Sequence, residues 1–404
     1  MRPSYSSDIL RRYNARMDSD ARTLDPEKQR RAKQLARIKR SLMLADLVLG
    51  AVYLGIWLSL RWNLGARAWV SGWLAQVFGA FPWWLTLVGF TAALAIPWLL
   101  ISLPFDLYGG FILPHQYELS TQTLASWISD QVKEMALSAA LGLPLLVGLY
   151  ALLRASPVWW WVWAGVLYTA VTAVLAALAP VLLMPIFYKV VPLDETYADL
   201  RARLLSLAQR AGAHVEGVYQ IDMSRRTKAA NAALAGLGRT RRILLGDTLL
   251  TEFSDDEIET VLAHELGHHV HRDIPLSIFA QALFNFAGLW LVDVGLKWGL
   301  GWFSLSSQAD PAGLPWIALL LGAFALITTP LTNAFSRWRE GMADDFALES
   351  TAMPAAFASA MTRLANQNLA EADPAPWIVF LLYSHPPLGE RVAKAQARAQ
   401  RPAN

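Results

Sequence analysis

The sequence predicts a mainly α, polytopic membrane protein: a bundle of six or seven helical spans joined to a soluble portion that holds a small β-sheet. Three observations carry that prediction. Hydrophobic residues make up 55% of the 404 and charged residues only 17%, outside the balance of an ordinary soluble domain. The apolar excess falls in runs of about twenty residues, the length that crosses roughly 30 Å of hydrocarbon as a helix. The polar residues gather in a few blocks between those runs. The net charge of +3 is small and its basic residues flank spans, so they read as topology signals and nucleic acid is not an expected partner. There is no cysteine, which excludes disulfides and thiolate metal sites; metal ligands must be histidines and carboxylates.

Residues 1–41 hold twelve Lys or Arg against five acids, and form the first segment, a basic solvated or membrane-surface helix expected on the cytoplasmic side. No cleavable signal peptide precedes the first span. The second segment, 42–184, holds four spans near 41–60, 81–103, 135–153 and 158–183, with a polar cytoplasmic loop over 104–134. The stretch 68–80 reads as an extension of the second span or a short interfacial helix. Trp159, Trp160 and Trp161 mark an aromatic belt.

The third segment, 185–274, is soluble in character. An amphipathic helix is expected over 194–213, with Leu200, Leu204, Leu205 and Ala208 on one stripe, then a strand over 215–221. A strand pair follows, 232–236 and 242–245, turning at Gly236-Leu237-Gly238. Ser254-Asp255-Asp256-Glu257 is a capping box that starts a helix. The fourth segment, 275–332, holds spans near 276–298 and 314–331. The first of these contains Asp293 and Lys297, whose insertion cost of roughly 5 to 7 kcal/mol is about what eleven Leu, Ile, Phe and Val return. That pair must sit near the outer end or face a wet interior. Residues 333–404 are polar and helical in pattern. Placing the basic blocks inside leaves only lightly charged links outside.

The chemistry concentrates at His264-Glu265-Leu266-Gly267-His268. Residues four apart share a helix face at about 6 Å, so His264 and His268 can hold one zinc ion while Glu265 stands beside its open position, the arrangement of a zinc peptidase. A third histidine ligand on the metzincin pattern is excluded, because positions 271 and 274 are His and Ile rather than Gly and His. His269 and His271 read as surface or supporting residues. The third ligand must come from elsewhere, and the sequence offers Glu340, with Asp344 one turn on to orient a ligand imidazole; Asp345 and Glu349 are rival carboxylates on the same helix. Arg337 reads either as a partner for a site carboxylate or as a helix-surface residue.

From about Leu103 to Arg391 the chain resembles the type I CAAX prenyl protease family of integral-membrane gluzincin metallopeptidases. The likeness rests on Glu118 with Ser120 to Thr123 and Trp127; Met184-Pro185 with Pro192-Leu193; Asn231-Ala232 through Gly238 to Arg242-Ile243 and Asp247-Thr248-Leu249; His264 to His268 with Arg272-Asp273; Ser336-Arg337 through Glu340 to Ala343-Asp344; and Ser384-His385-Pro386-Pro387 to Glu390-Arg391. The resemblance implies one Zn2+ held by His264, His268 and Glu340, with Glu265 as general base, Asp344 supporting a ligand, and His385 with Arg391 in catalysis. It implies an edge strand at Asn231, Ala232, Ala233 and Leu234 that binds substrate, with Asn231 orienting a substrate carbonyl. It also implies a ring of spans around a water-filled chamber, capped by a cytoplasmic zinc-metallopeptidase domain. The chain departs from eukaryotic members in its long basic N-terminal segment, in six clear spans rather than seven, and in ending Arg-Pro-Ala-Asn without a retention signal. The expected setting is a bacterial inner membrane, and the expected substrate a peptide or membrane-protein segment, with or without a prenyl group. The competing readings are a membrane-protein quality-control protease of the heat-shock type and a catalytically idle chamber that binds lipidated or amphipathic molecules.

Overall fold

The structure, a computed structural model, describes residues 23–236 and 240–400. The basic residues up to 22, the turn residues Leu237 and Gly238, and the tail beyond 400 lie outside that description.

Helix α1, Pro26–Ser59, is capped by the Asp25 carboxylate and runs unbroken from the basic segment through the first apolar run. Its basic part is not a free surface helix, because Ala32 and Leu35 pack with Leu113 and Leu369. A separate helix α2, Trp62–Phe78, covers the stretch expected to extend the next span; it reverses direction at Arg61 and again at Gly79, both at positive φ. Helix α3, Trp83–Leu107, passes through a π-helical turn at Tyr108–Ile112 and continues to Gln116. Helix α4, Leu124–Ala155, begins soon after. The loop expected over 104–134 is therefore helical for most of its length, and only 117–123 is irregular. Helix α5, Trp160–Leu178, completes this half.

The soluble portion opens with β1, Val190–Pro192, a strand too short to carry a sequence signal. Then come α6, Ala198–Arg210, and strands β2, Gly217–Ile221, β3, Ala232–Ala235, and β4, Arg242–Gly246. The sheet order is β1-β2-β4-β3, with β2 parallel to β4 and both outer pairs antiparallel. Gly236 takes φ +91° at the end of β3, where a Cβ would strike the Thr240 carbonyl. Helices α7, Asp255–Val270, α8, Asp273–Trp302, α9, Leu314–Thr351, α10, Pro354–Gln367, α11, Pro376–Leu382, and α12, Leu388–Ala399, follow. The core of the soluble portion joins Leu204 and Leu207 of α6, Ile243 and Leu245 of β4, Leu262 and Leu266 of α7, and Phe357 and Ala360 of α10.

Among the described residues, six helices are long and apolar enough to cross a membrane: α1, α3 with its extension, α4, α5, α8 and α9. They pack tightly at their ends and less so in the middle. At the end far from the sheet, Leu87, Tyr150, Trp160, Leu296 and Ile317 form a tight cluster. Between the ends, no side chain is buried over 36–56, 131–149, 166–178, 274–287 or 318–338. Each run is about 20 Å or more of helix. Beside α8 these runs leave a cavity of about 550 Å³ among α4, α5, α8 and α9, while Phe286 packs on Gly165 and Phe324 on Gly288.

Asp293 and Lys297 do not face that space. They lie some 30 Å along α8 from its start, where Asp293 is buried and accepts hydrogen bonds from Trp160 Nε1 at 2.8 Å and Lys297 Nζ at 2.5 Å. Nearby Asp310 accepts from Arg67, Ser306 and the Ala312 amide. Each buried carboxylate has a cation beside it, which removes most of the cost of placing it in an apolar setting.

Where α7 crosses α9 the approach is limited by backbone. A Cβ on Gly267 would lie 2.8 Å from Ala343 Cα and 3.1 Å from its carbonyl oxygen. We expect Gly267→Val to cost about 1–3 kcal/mol through overpacking, although valine is no worse a helix former than glycine. A lowered thermal midpoint in detergent would register it; an unchanged midpoint would mean that the helices separate freely.

Candidate metal centre

The site is built on α7, and α7 begins as its sequence demands. Ser254 Oγ accepts from the Glu257 amide while Glu257 Oε2 accepts from the Ser254 amide at 2.8 Å. Glu257 also accepts from Ser359 at 2.6 Å and Arg363 at 3.2 Å, so the capping carboxylate ties α7 to α10. Leu262, Ala263 and Leu266 are fully buried, which fixes the rotation of the helix and turns His264 and His268 toward α9.

The two imidazoles converge. His264 Nε2 and His268 Nε2 lie 3.2 Å apart. Glu340 of α9 completes the group, with Oε2 3.2 Å from His264 Nε2 and Oε1 3.5 Å from His268 Nε2. Each ring is held from behind by a carboxylate. His264 Nδ1 donates to Asp344 Oδ1 at 2.9 Å, and His268 Nδ1 donates to Asp273 Oδ2 at 2.7 Å. Each carboxylate is held in turn by an arginine. Arg391 donates to Asp344 through Nε at 2.9 Å and Nη2 at 2.5 Å, and Arg339 donates to Asp273 through Nε at 2.7 Å. Arg391 Nη2 also lies 3.2 Å from His264 Nδ1, a distance set by two donors sharing Asp344 Oδ1. Arg339 reaches back to the His271 carbonyl at 2.7 Å as well.

These contacts decide the tautomers. With both Nδ1 protons given to carboxylates, both Nε2 lone pairs point into one space, and no proton lies between them. Glu340 Oε2 is buried there without a hydrogen-bond donor. Two lone pairs and a bare carboxylate oxygen at such separations repel unless a cation sits among them. Nitrogens bound to a tetrahedral zinc at about 2.0–2.1 Å stand roughly 3.3 Å from each other. The residues present therefore fit a metal ion: His264, His268 and Glu340 each offer a ligand atom, all within 4.8 Å of one another.

Without metal the same pocket favours protons. Burial lowers the His264 pKa, but the adjacent Asp344 and Glu340 carboxylates outweigh it and, when no metal is bound, raise the group from 6.5 to about 9. Burial pushes the Glu265 carboxyl above its ordinary range, a shift partly opposed by the neighbouring His264 and His268. His269 moves the other way, lowered by burial and by Arg241.

Of the residues expected at the site, His264, Glu265, His268, Glu340, Asp344, Arg391 and His385 come together. His385 Nε2 lies 3.2 Å from Glu340 Oε1, on a side chain that stays 61% exposed. Arg391 is buried behind His264 with its guanidinium engaged by Asp344, so its action on the site runs through that pair. The rival carboxylates are elsewhere: Asp345 pairs with Lys394 and Glu349 with Arg398. His269 faces Arg241, and His271 sets its ring edge against Phe346. Arg337 takes neither role expected of it; its Nη1 donates to the backbone carbonyls of Val379 at 2.9 Å and Tyr383 at 2.6 Å. Asn231 is exposed, and Ala232, Ala233 and Leu234 form β3, which pairs only with β4 and runs beside α7.

Two supporting residues escaped sequence reasoning. Asp273 lies five residues beyond His268, out of reach along a continuous helix. It returns because Arg272 adopts φ 55°, which ends α7 and starts α8. A non-glycine residue there costs on the order of 1–3 kcal/mol, held by the surrounding packing. Arg339 stands next to Glu340 but points toward α8. The available signal was the Arg272-Asp273 pair itself, a charge pair directly after the histidines.

The assembly defines an integral-membrane metalloprotease: two imidazoles and a glutamate over a helical bundle, with a buried carboxylate alongside. Comparison with known proteins agrees. The pattern for Peptidase family M48 matches residues 194–399, and that for the CAAX prenyl protease N-terminal region with five membrane helices matches residues 13–189. The chain belongs to peptidase family M48 and is of the CAAX prenyl protease type. It is 31% identical over 322 residues to the uncharacterized metalloprotease YhfN of Bacillus subtilis, covering 79% of this chain and 75% of that one. It is 30% identical over 312 residues to CAAX prenyl protease 1 of Saccharomyces cerevisiae, covering 72% and 68%. The crystal structure of S. mikatae Ste24p shares the fold, with TM-score 0.79 and 24% identity over 92% of this chain and 89% of that one. Five helices, α1 to α5, lie within the region that this pattern matches, and α2, at 17 residues, is the one of them not among the candidate spans.

The His264 shift has a measurable consequence. A histidine raised above its unfolded value of 6.5 stabilises the metal-free fold fully below pH 6.5 and loses that contribution as pH rises through 9. Metal binding must displace the proton, so zinc affinity is expected to rise about tenfold per pH unit up to pH 9 and then level off. Chelator competition across pH 6–10 measures it, and a flat profile would contradict the assignment. Asp273→Asn should separately weaken zinc about 10–100-fold.

Proposed function

We propose that the chain is a zinc endopeptidase in which His264, His268 and Glu340 hold the ion, Glu265 is the general base, and a peptide substrate lies along the free edge of β3. The observation that carries this reading is the convergence of the His264 and His268 Nε2 atoms, 3.2 Å apart, on the buried Glu340 carboxylate, with the ligand atoms all within 4.8 Å of one another. Two nitrogens, one carboxylate and no cysteine suit zinc with an open coordination position. When bound, zinc lowers the pKa of a water toward about 7 and polarises a carbonyl.

The chain's own residues do the rest. Glu265 accepts a proton from the attacking water and gives it to the amine nitrogen as the C–N bond breaks and a C–O bond forms. Its raised pKa suits that exchange, because a base must also be willing to act as the acid. His385, exposed and adjacent to Glu340, donates to the carbonyl oxygen as negative charge develops there. Arg391 and Asp344 keep His264 in the required tautomer. Main-chain hydrogen bonds from β3 align the substrate, and Asn231 at the head of the strand orients one of its carbonyls.

The substrate class follows from the space beside the site. A pocket of about 270 Å³ touching His268, Asp273 and Glu340 shares Gln281, Phe284 and Thr332 with a cavity of about 550 Å³ among α4, α5, α8 and α9. The inner cavity is lined chiefly by Leu146, Leu167, Leu289, Leu321 and Phe324. Its volume and apolar lining suit a prenyl chain carried by a C-terminal peptide, within a chamber formed by the loosely packed middle of the bundle. The second reading is a quality-control protease of broad specificity, favoured by the undemanding main-chain recognition that a strand edge offers. An idle binding chamber would not need Glu265. We place the peptidase portion, formed by 185–274 and 333–404, on the cytoplasmic side of a bacterial inner membrane, because most of the basic residues lie on its side and the 303–313 link has none.

Hydrolysis of a quenched peptide, with and without a farnesyl group, by zinc-loaded protein tests the reading. Glu265→Gln is expected to lower kcat by about 10²–10⁴ while zinc content stays the same; full activity would overturn the mechanism. A kcat/KM at least tenfold higher for the farnesylated peptide supports the prenyl substrate, and equal values favour the second reading.

A further inference from the structure

His385 has little to hold it. Its polar partners among the described residues are Glu340 and the adjacent Ser384 hydroxyl. The short helix α11 that precedes it turns Trp377 and Phe380 outward, and only Ile378 of that helix is buried. Apolar packing therefore does not fix residues 376–387, and their placement depends on polar anchors.

One set of anchors comes from α9, where Arg337 holds the Val379 and Tyr383 carbonyls and Asn333 donates to the Leu381 carbonyl at 3.0 Å. The other comes from the basic stretch of the first helix. Gln29 spans the strand-like segment after α10, donating to the Ala370 carbonyl at 3.2 Å and accepting from the Ala372 amide at 3.0 Å. Between those two points, Arg40 donates at 2.8 Å to Glu371, whose side chain is only 8% exposed. The Arg40 guanidinium also lies close enough to the Tyr383 side chain to act on it electrostatically. Tyr383 is thus held at its carbonyl by α9 and flanked at its side chain by α1, two residues before His385. The same segment reaches the far side of the site: the Ala372 carbonyl accepts from the Gly389 amide at 3.1 Å, at the start of the helix that carries Arg391. A Cβ on Gly389 would collide with Asp373, so this junction is tight.

We propose that Arg40, assisted by Gln29, is a positioning residue for His385, so that the basic part of the first helix belongs to the active site as well as to membrane topology. Arg40 neutralises the buried Glu371 carboxylate beside that tyrosine with a planar fork, which a lysine, with a single point charge, cannot fully copy. The inference rests on the reading of His385 as a substrate-facing donor. It also couples the first span mechanically to the site, since the same helix continues to Ser59.

The test uses full-length protein in detergent with zinc bound, comparing kcat and KM on the quenched farnesyl peptide for wild type, R40A, R40K, Y383F, H385A and R40A/H385A. Amide exchange over 376–387 is followed in parallel on the metal-free proteins. R40A is expected to lower kcat roughly tenfold with KM within about twofold, as a misplaced group would. Exchange over 376–387 should quicken while α7 keeps its protection. R40K and Y383F should fall between wild type and R40A, and they carry the comparison if R40A does not fold. R40A/H385A should be no slower than H385A, because the two residues act through one group. A kcat for R40A within twofold of wild type beside an impaired H385A, or losses that multiply in the double variant, would overturn the proposal alone. A fully active H385A would instead overturn the reading of His385 and the proposal with it.

Discussion

Everything at the centre of this molecule depends on one electrostatic constraint: two imidazole lone pairs and a bare carboxylate oxygen are directed into the same buried space. That arrangement is unstable by itself. The surrounding charges show how it is balanced, because Arg391 answers Asp344 and Arg339 answers Asp273, each pair in contact. Among the described residues Glu340 and Glu265 have no arginine or lysine in contact, and a divalent cation matches the carboxylates. The metal-ligating groups, their tautomers and Glu265 are thus parts of one charge arrangement rather than separate features.

The fold serves that constraint by placing rigid elements where precision is needed and leaving space elsewhere. Four of the five groups facing the centre, all but His385, come from α7 and α9, long helices that meet at backbone contact through Gly267 and Ala343. The chain reversal at Arg272 then brings Asp273 behind the second histidine. Over the middle of the spans few side chains are buried. At the far end the buried carboxylates Asp293 and Asp310 are each paired with a more exposed cation, Lys297 and Arg67, where apolar packing resumes. The bundle thus keeps its tight packing at the two ends.

What could be read from the sequence was local in character. The pair His264 and His268 is legible because helix periodicity alone places them together, and Ser254 with Glu257 is legible for the same reason. The six apolar runs needed only length. The third carboxylate was visible as Glu340 with rivals, and choosing it took the family resemblance. What escaped depends on chain reversal or distant packing. Asp273 needs the left-handed turn at Arg272, and Arg339 needs the facing of α9 against α8. Residues 104–134 read as a polar loop, yet a π-helical turn at Tyr108–Ile112 carries the helix on to Gln116. Arg337 suggested a carboxylate partner by its charge, whereas its guanidinium serves two carbonyls from a segment over forty residues away.

The most direct test of the account is X-ray absorption at the zinc edge on full-length protein loaded with one equivalent of metal. The account predicts one ion per chain with four light-atom ligands at about 2.0–2.1 Å, two of them showing the outer-shell scattering of imidazole. Glu340→Ala should lose one oxygen ligand from that shell. A third imidazole, or a shell unchanged by Glu340→Ala, would contradict it.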